Sequence, residues 1–579
     1  MLKLDRRLAP AVIASLALGL AACGSNSNDN SSSTTDTTAT SASTPAATES
    51  TTTAPTTGKD GGKITVLMGT APDHLDPHQG YTTQAAEADW ITYTGLLTYK
   101  HENGTAGGEL IPGLAEDLPT VSKDGLTYEL TMRKGLKYSD GTDVKASDFE
   151  YSVERMMRLN WGGKSFVTNY VVGAADYDAK KAKDIKGITS DDATGKITIK
   201  LSEPYGAFSN VLAFPAVGLV PSGTPMKDLS ADPPPGVGAY KITNVVPNQG
   251  WTMEKVPGFA DFNIPDIPTG HLDEIDVKIQ SNTQSEAQQV LDNQADIFDF
   301  GDTLPPSLAA QIQSDASDRF EKETIPSIFY MFLNTTKPPF NNIKAREAVN
   351  VGVDRRGFVR LAAGFLKPEC FFLPEGLPGH PGGDCPFGSK DENTAPDVAK
   401  AKQLVQESGQ ADTPIVVWGE RRAPRTEYVN FYTSELKKIG FTNVKEKIIN
   451  DETYFPTIGS DKTDPQTGFA DWIQDFPNPS DFYLLLNASA IQPTNNQNFS
   501  KVNDPKIQSE LKALDATPAT ELASVTDRWA ALDEYVAQQA YVYVYGSEQT
   551  PKFFSDKLDF DSAIFHPTYG NDWSTISLK

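Results

Sequence analysis

The sequence predicts a mixed α/β fold. Between residues 398 and 449, a helical pattern, a strand pattern, a second helical pattern and a second strand pattern follow one another, with Gly409 and Gly440 after the two helices. This alternation is typical of an α/β domain with an at least partly parallel sheet. Apolar or alternating runs at 63–68, 127–132 and 197–201 predict earlier strands. The roughly 520 residues after position 60 exceed what one core supports, so we expect two or more domains.

Two apolar runs flank the alternating region. Residues 327–333 (SIFYMFL) precede it and residues 540–545 (AYVYVY) follow it. If both runs cross between two lobes, the middle of the chain is an inserted second lobe and the protein is a hinged clamp. The alternative is that both are ordinary core strands, and the pattern alone does not separate the two.

The first 23 residues resemble an export signal. Basic residues precede an apolar run at 8–20, which is too short and too early for a membrane span, and Leu20-Ala21-Ala22-Cys23 follows. This ending resembles the lipobox of bacterial lipoproteins, which predicts a signal peptide at 1–22 and lipidation of Cys23. An ordinary signal peptide with an incidental cysteine is the alternative. Residues 23–60 are rich in Ser, Thr and Ala, and this composition predicts a disordered tether.

Charge and cysteine content narrow the function further. The net charge of −25 argues against nucleic-acid binding and against polybasic attachment to membranes. Besides Cys23, the chain has only Cys370 and Cys385, which flank a loop rich in Pro and Gly. In an exported protein such a pair predicts a disulfide. A metal site that also uses His380 is the alternative, although no fourth ligand is nearby.

Many short motifs in order resemble one known family. They are Leu75-Asp76-Pro77-His78, Tyr93-Thr94-Gly95-Leu96-Leu97, Pro112-Gly113-Leu114-Ala115-Glu116, Asp124-Gly125-Leu126-Thr127-Tyr128, Tyr138-Ser139-Asp140-Gly141-Thr142, Gly236-Val237-Gly238-Ala239-Tyr240 and Arg346-Glu347-Ala348. From Lys63 onward the chain resembles the family 5 extracellular solute-binding proteins, the oligopeptide- and dipeptide-binding receptors of bacterial ABC importers. Asn293 stands where the family usually has glycine.

The resemblance implies a two-lobe periplasmic-binding-protein fold of type II (cluster C), with an extra subdomain in the first lobe. The implied boundaries are 61–100, 216–330 and 546–579 for the core of lobe I, 101–215 for the extra subdomain, and 331–545 for lobe II. It also implies ABC permease subunits as partners, a monomer, and a location on the outer face of the cell membrane.

The segment Trp472-Ile473-Gln474-Asp475 resembles the family's second-lobe motif, in which an aspartate three residues after a tryptophan receives a peptide's α-ammonium group. A carboxylate in a poorly hydrated cleft suits this role, because a charge-assisted hydrogen bond contributes about 1.5–3 kcal/mol. Trp472 would supply a rigid apolar wall. The alternative is that Asp475 braces the Pro-rich turn and Trp472 belongs to the core.

The group that would bind the ligand's carboxylate is less evident. Residues 467–471 hold no basic residue, so Arg421, with Arg422 and Arg425, is the candidate; a solvated surface cluster is the alternative. Tyr81 and Trp161 lie in predicted loops that would line the first-lobe wall.

No sequence pattern predicts catalysis. Gly162-Gly163-Lys164-Ser165 resembles the end of a phosphate-binding loop, but Arg158 replaces its first glycine. We predict no cofactor and no metal, and expect a peptide-binding receptor rather than an enzyme. The alternatives are a non-peptide solute (a metal chelate, an oligosaccharide or an opine-like compound), a secreted hydrolase, or a structural surface lipoprotein.

Overall fold

The computed structural model describes residues 58–494 and 496–579. The predicted signal peptide, Cys23 and most of the predicted tether lie outside the described residues. The end of the predicted tether is ordered, which differs from the expectation. Lys59 forms a β-bridge with Leu578, and Nδ1 of His271 lies 2.8 Å from a carboxylate oxygen of Asp60.

The elements alternate along the chain much as expected. The strands are β1 (Lys63–Met68), β2 (Leu97–Tyr99), β3 (Leu110–Pro112), β4 (Thr120–Val121), β5 (Thr127–Thr131), β6 (Ile188–Asp191), β7 (Lys196–Lys200), β8 (Tyr240–Val246), β9 (Gly250–Lys255), β10 (Glu274–Ile279), β11 (Ile297–Phe298), β12 (Phe320–Thr324), β13 (Ser327–Leu333), β14 (Leu366–Lys367), β15 (Ile415–Glu420), β16 (Val444–Ile449), β17 (Thr467–Ile473), β18 (Val542–Phe554), β19 (Phe565–His566) and β20 (Gly570–Asn571). The α-helices are α1 (Thr83–Trp90), α2 (Ala146–Leu159), α3 (Ser165–Thr168), α4 (Ala174–Asp178), α5 (Phe208–Val211), α6 (Thr283–Leu291), α7 (Pro306–Asp315), α8 (Ile343–Gly352), α9 (Arg355–Leu361), α10 (Val398–Ser408), α11 (Arg425–Lys438), α12 (Asp451–Ile458), α13 (Pro479–Tyr483), α14 (Pro505–Asp515) and α15 (Thr526–Gln538).

One 12-stranded sheet connects most of the described chain. Its main path is β16-β15-β17-β13-β18-β11-β1-β10-β9-β8, and β12 and β14 also pair with β18. The pair β15–β16 is parallel, as the alternation of helices and strands between residues 398 and 449 predicts. The pairs β1–β10 and β1–β11 are parallel as well. A separate sheet, β4-β5-β7-β6, lies within the predicted extra subdomain.

The strand β18 links two hydrophobic cores. Its first part pairs with β13, and its last residues pair with β11 and β12. The first core consists mainly of apolar residues from 64–277 and 554–576, and the second core draws all its buried members from 328–545. These ranges parallel the expected lobes, although the residues of the predicted extra subdomain pack into the first core. The exact lobe boundaries stay a prediction.

The predicted disulfide is present. Cys370 and Cys385 are bonded, 15 positions apart, and close a loop in the second half of the chain. Within the described residues, no three His, Cys, Asp or Glu side chains are grouped so as to hold a metal ion. No helix in that part combines the length and apolar character that a bilayer crossing requires.

Candidate functional site

A cavity of about 370 Å³ lies between the two cores. Tyr81, which packs against the first core, and Trp472, which packs against the second, both line it. Much of its wall is apolar or aromatic and includes Phe300, Phe329 and Phe455. Ligand pockets typically measure about 300–1,000 Å³, so this cavity suits a small ligand.

Asp475 lies at one side of the cavity and contacts the opposite half of the protein. The Tyr81 hydroxyl donates a hydrogen bond of 2.6 Å to Oδ2 of Asp475. Burial raises the pKa of Asp475 to about 7, against the opposing effect of the hydrogen bond from Tyr81. The side chain is therefore close to its titration point at neutral pH, where a cationic group would favour its charged form.

Asp481 holds Trp472 and Asp475 in place. Trp472 is the last residue but one of β17, and its indole N–H donates to Oδ1 of Asp481 over 3.0 Å. The backbone N–H of Asp475 donates to the other oxygen over 2.8 Å. Asp481 is fully buried, and burial, together with the nearby charge of Asp475, raises its pKa well above the usual range. Asp481 thereby fixes the positions of Trp472 and Asp475 relative to each other.

A second charged group lies elsewhere on the cavity wall. Arg425, the first residue of α11, donates to Glu420 over 2.6 Å and to Asp471 over 2.5 Å. Although burial opposes the shift, Asp471 and Glu420 raise the pKa of Arg425 above its usual value. The charge of Arg425 is thus already neutralised within the protein.

Arg422 differs from its two neighbours. Arg421 is exposed and does not line the cavity, whereas Arg422 lines it. Among the described residues, no carboxylate forms an ion pair with Arg422. The positive charge of Arg425 and burial both lower the pKa of Arg422. Of the three arginines, Arg422 is therefore the one with donors available to a ligand.

Trp161 is part of the core behind the cavity wall. It is 2% exposed, and its indole N–H donates to the backbone oxygen of Gly80 over 3.0 Å. Its ring meets that of Tyr81 edge to face, with centroids 5.4 Å apart. Trp161 does not line the main cavity; it supports Tyr81, which does.

Sequence reasoning did not single out two acidic residues of this site. Glu548 lies on β18 and lines the cavity, and burial raises its pKa to about 7. Asp481 follows Asn478 at the start of α13. Glu548 reaches the site because of strand pairing, for which the local sequence carries no signal. Asp481 reaches it through the turn after β17.

The chain has relatives among proteins of known function. The chain is 26% identical to the glutathione-binding protein GsiB of Salmonella choleraesuis over 389 residues, covering 65% of this chain and 68% of that protein. GsiB of Escherichia coli O157:H7 is also 26% identical, over 390 residues, with the same coverage.

Solved structures show the same fold. The clavulanic acid biosynthesis oligopeptide binding protein 2 has a TM-score of 0.81 at 21% identity, covering 90% of this chain and 96% of that one. The binding protein DppA of Helicobacter pylori, in complex with the peptide STSA, has a TM-score of 0.69 at 20% identity, covering 90% and 98%. The predicted two-lobe α/β fold is thereby confirmed.

A family model extends over most of the same region. The model of bacterial extracellular solute-binding proteins, family 5, matches residues 109–493, which include Trp472, Asp475 and Arg422. This match covers more than half of the chain. The chain therefore belongs to the family 5 bacterial extracellular solute-binding proteins.

Proposed function

We propose that this protein captures short peptides outside the cytoplasm and delivers them to the permease of an ABC importer. The observation that carries the proposal is that two oppositely charged groups, Asp475 and Arg422, line the same cavity. Asp475 offers a carboxylate to an α-ammonium group. Arg422, which forms no ion pair within residues 58–494 and 496–579, offers its guanidinium to a carboxylate. A zwitterionic peptide presents both of these groups.

The size and walls of the cavity support a short ligand with varied side chains. Its volume of about 370 Å³ is near the lower end of the usual range for ligand pockets. Flat aromatic walls such as Trp472 and Phe329 accept many apolar shapes without strict selection. Relatives named for binding glutathione, and a structural neighbour in complex with the four-residue peptide STSA, are consistent with ligands of a few residues.

The ligand can be identified directly. Protein purified from its native source without added peptide would be denatured, and the released molecules analysed by mass spectrometry. We expect peptides of about two to four residues with free ends. Recovery of a metal chelate, an oligosaccharide or an opine-like compound instead would contradict the proposal. Because binding is proposed without chemistry, peptides incubated with the protein should be recovered intact.

Attachment to the outer face of the membrane through Cys23 is a further part of the proposal. It rests on Leu20-Ala21-Ala22-Cys23 in the sequence. Metabolic labelling with a radioactive fatty acid should mark the wild-type protein, and a Cys23→Ala variant should lose the label. A variant that keeps the label, or that stays on membranes at its mature mass, would contradict the anchor.

A further inference from the structure

A smaller cavity of about 70 Å³ adjoins the main one. Tyr81 and Asp475 line both cavities and so form part of the wall between them. A water molecule needs about 10–15 Å³ of such volume, so the chamber has room for about five water-sized groups. This is about the number of non-hydrogen atoms in a lysine side chain. We call this space the Asp89 chamber, after the buried residue described next.

Asp89 lies near the end of α1 and lines the chamber. It is 2% exposed, and its Oδ1 atom has no hydrogen-bond partner among the described residues. None of the lining residues is Lys, Arg or His, so the described chain supplies no cation to this space. Burial, together with the negative charges of Asp76 and Asp73, raises the pKa of Asp89 well above its usual range. A cationic occupant would favour the charged form of this side chain and pair with it.

Aromatic rings form much of the remaining wall. The rings of Tyr81, Trp161, Phe214 and Tyr569 all line the chamber. Trp161 lies between two of them, with centroids 5.4 Å from Tyr81 and 5.2 Å from Phe214. The faces of aromatic rings attract cations within about 6 Å. A small space with two carboxyl groups and four aromatic rings has the chemistry of an ammonium site.

The position of the chamber relates it to the ligand. If the α-ammonium group of a peptide binds Asp475, as the proposed function requires, the side chain of the first residue begins at the chamber wall. Tyr81 and Trp161 pack in the first core, whereas Ile473 and Asp475 lie at the end of β17, so the chamber forms where the two halves meet. An occupant can thus enter while the halves are apart.

We propose that the Asp89 chamber is a subsite for the side-chain ammonium group of a basic first residue of the peptide. This inference rests on the proposed function. The inference adds a specificity determinant to the proposed function. Peptides that begin with lysine or ornithine bind more tightly than those that begin with an uncharged residue of similar length.

Calorimetry with two tripeptides tests this inference. Lys-Ala-Ala and norleucine-Ala-Ala differ mainly in the terminal ammonium group. Wild-type protein should bind the lysine peptide at least about tenfold more tightly, and Asp89→Asn should abolish this preference while keeping the affinity for the norleucine peptide. Asp515→Asn is the matched control, since Asp515 also has a buried oxygen without a partner but lines a different, 30 Å³ cavity. The control should keep the preference.

A second variant does not depend on a charge change. Ala86 lines the chamber, and Ala86→Leu would fill part of it. This variant should bind Gly-Ala-Ala as the wild type does but lose affinity for Lys-Ala-Ala at least tenfold. Equal affinity of wild-type protein for the lysine and norleucine peptides would overturn the subsite and leave the proposed function standing. Failure of all these peptides to bind would overturn both.

Discussion

The hydroxyl of Tyr81 and a carboxylate oxygen of Asp475 lie 2.6 Å apart, although 394 positions separate the two residues in the chain. Tyr81 packs against the first core, and Asp475 follows β17 at the edge of the second. The hydrogen bond therefore joins the two halves beside the cavity. The proposed function requires the halves to separate, which would remove this donor from Asp475 and leave its carboxylate to a ligand's ammonium group.

Removal of the carboxylate of Asp475 should weaken peptide binding. We expect Asp475→Ala to cost at least about 1.5 kcal/mol, which is more than tenfold in affinity, because a charge-assisted hydrogen bond is lost. Acetylation of the peptide's amino end should cost the wild type a similar amount and the variant little more, since both changes delete one contact. Calorimetry on the four combinations measures this. Equal binding of free and acetylated peptides by the wild type would remove Asp475 from this role.

The affinity should depend on pH through the same residue. With a pKa raised to about 7 by burial, Asp475 becomes protonated as the pH falls below 7, and a neutral acid no longer pairs with an ammonium group. The association constant should therefore fall by up to about tenfold per pH unit on the acid side. Above about pH 8 it should fall again as the peptide's amino group loses its proton. In Asp475→Asn the association constant should no longer change with pH below 7. If it falls there as in the wild type, the titration belongs to another group.

The two arginines of the cavity should respond differently to substitution. Arg422→Gln should leave the stability almost unchanged and remove the wild type's preference for a free peptide carboxylate over its amide. Arg425→Gln should destabilise the fold by about 3–5 kcal/mol, because Glu420 and Asp471 would be left without their cation. Urea denaturation and calorimetry separate the two effects. A preference for the free carboxylate that survives in Arg422→Gln would contradict its assigned role.

Contact between the halves also depends on Gly206. A Cβ atom at this position would lie 2.0 Å from the backbone oxygen of Thr517, in the other half. Gly206→Ala should therefore hinder closure and weaken peptide binding at least tenfold, while the unfolding temperature without ligand changes little. The control is Gly258→Ala, where nothing lies within 4 Å of the added atom. Small-angle scattering with saturating peptide should show a larger radius of gyration for Gly206→Ala than for the wild type or Gly258→Ala. Equal radii for all three proteins would refute this prediction.

Local patterns predicted the elements well. The strands at Lys63–Met68, Ser327–Leu333 and Val444–Ile449 and the helix at Val398–Ser408 have the bounds that apolar runs and a terminal glycine indicate. These features depend on neighbouring residues, which the sequence displays directly. The strand β18 is longer than expected and ends at Phe554, because its last residues pair with β11 and β12 rather than remaining outside the sheet.

The site was harder to predict because it depends on distant pairing. The spacing of Trp472 and Asp475 pointed to a segment that lines the cavity, but nothing local shows that Tyr81 reaches Asp475. The sequence pointed to the arginine cluster but not to the different environments of its members. Only the structure shows that Arg425 is paired and that Arg421 faces solvent. Trp161 does not line the main cavity but the smaller one beside it, and its ring packs edge to face against Tyr81; the sequence carries no signal for this difference.

The composition of the two cores has a consequence for the order in which the protein folds. The second core takes its buried members from one continuous stretch, residues 328–545, so it can assemble as soon as that stretch is available. The first core combines Val66 and Met68 with Trp573 and Ile576, about 500 positions later. During synthesis or export, the first core therefore cannot be completed until its last apolar segments are available. The half that is made first is the half that is completed last, and in the interval its apolar surface is exposed and prone to aggregate.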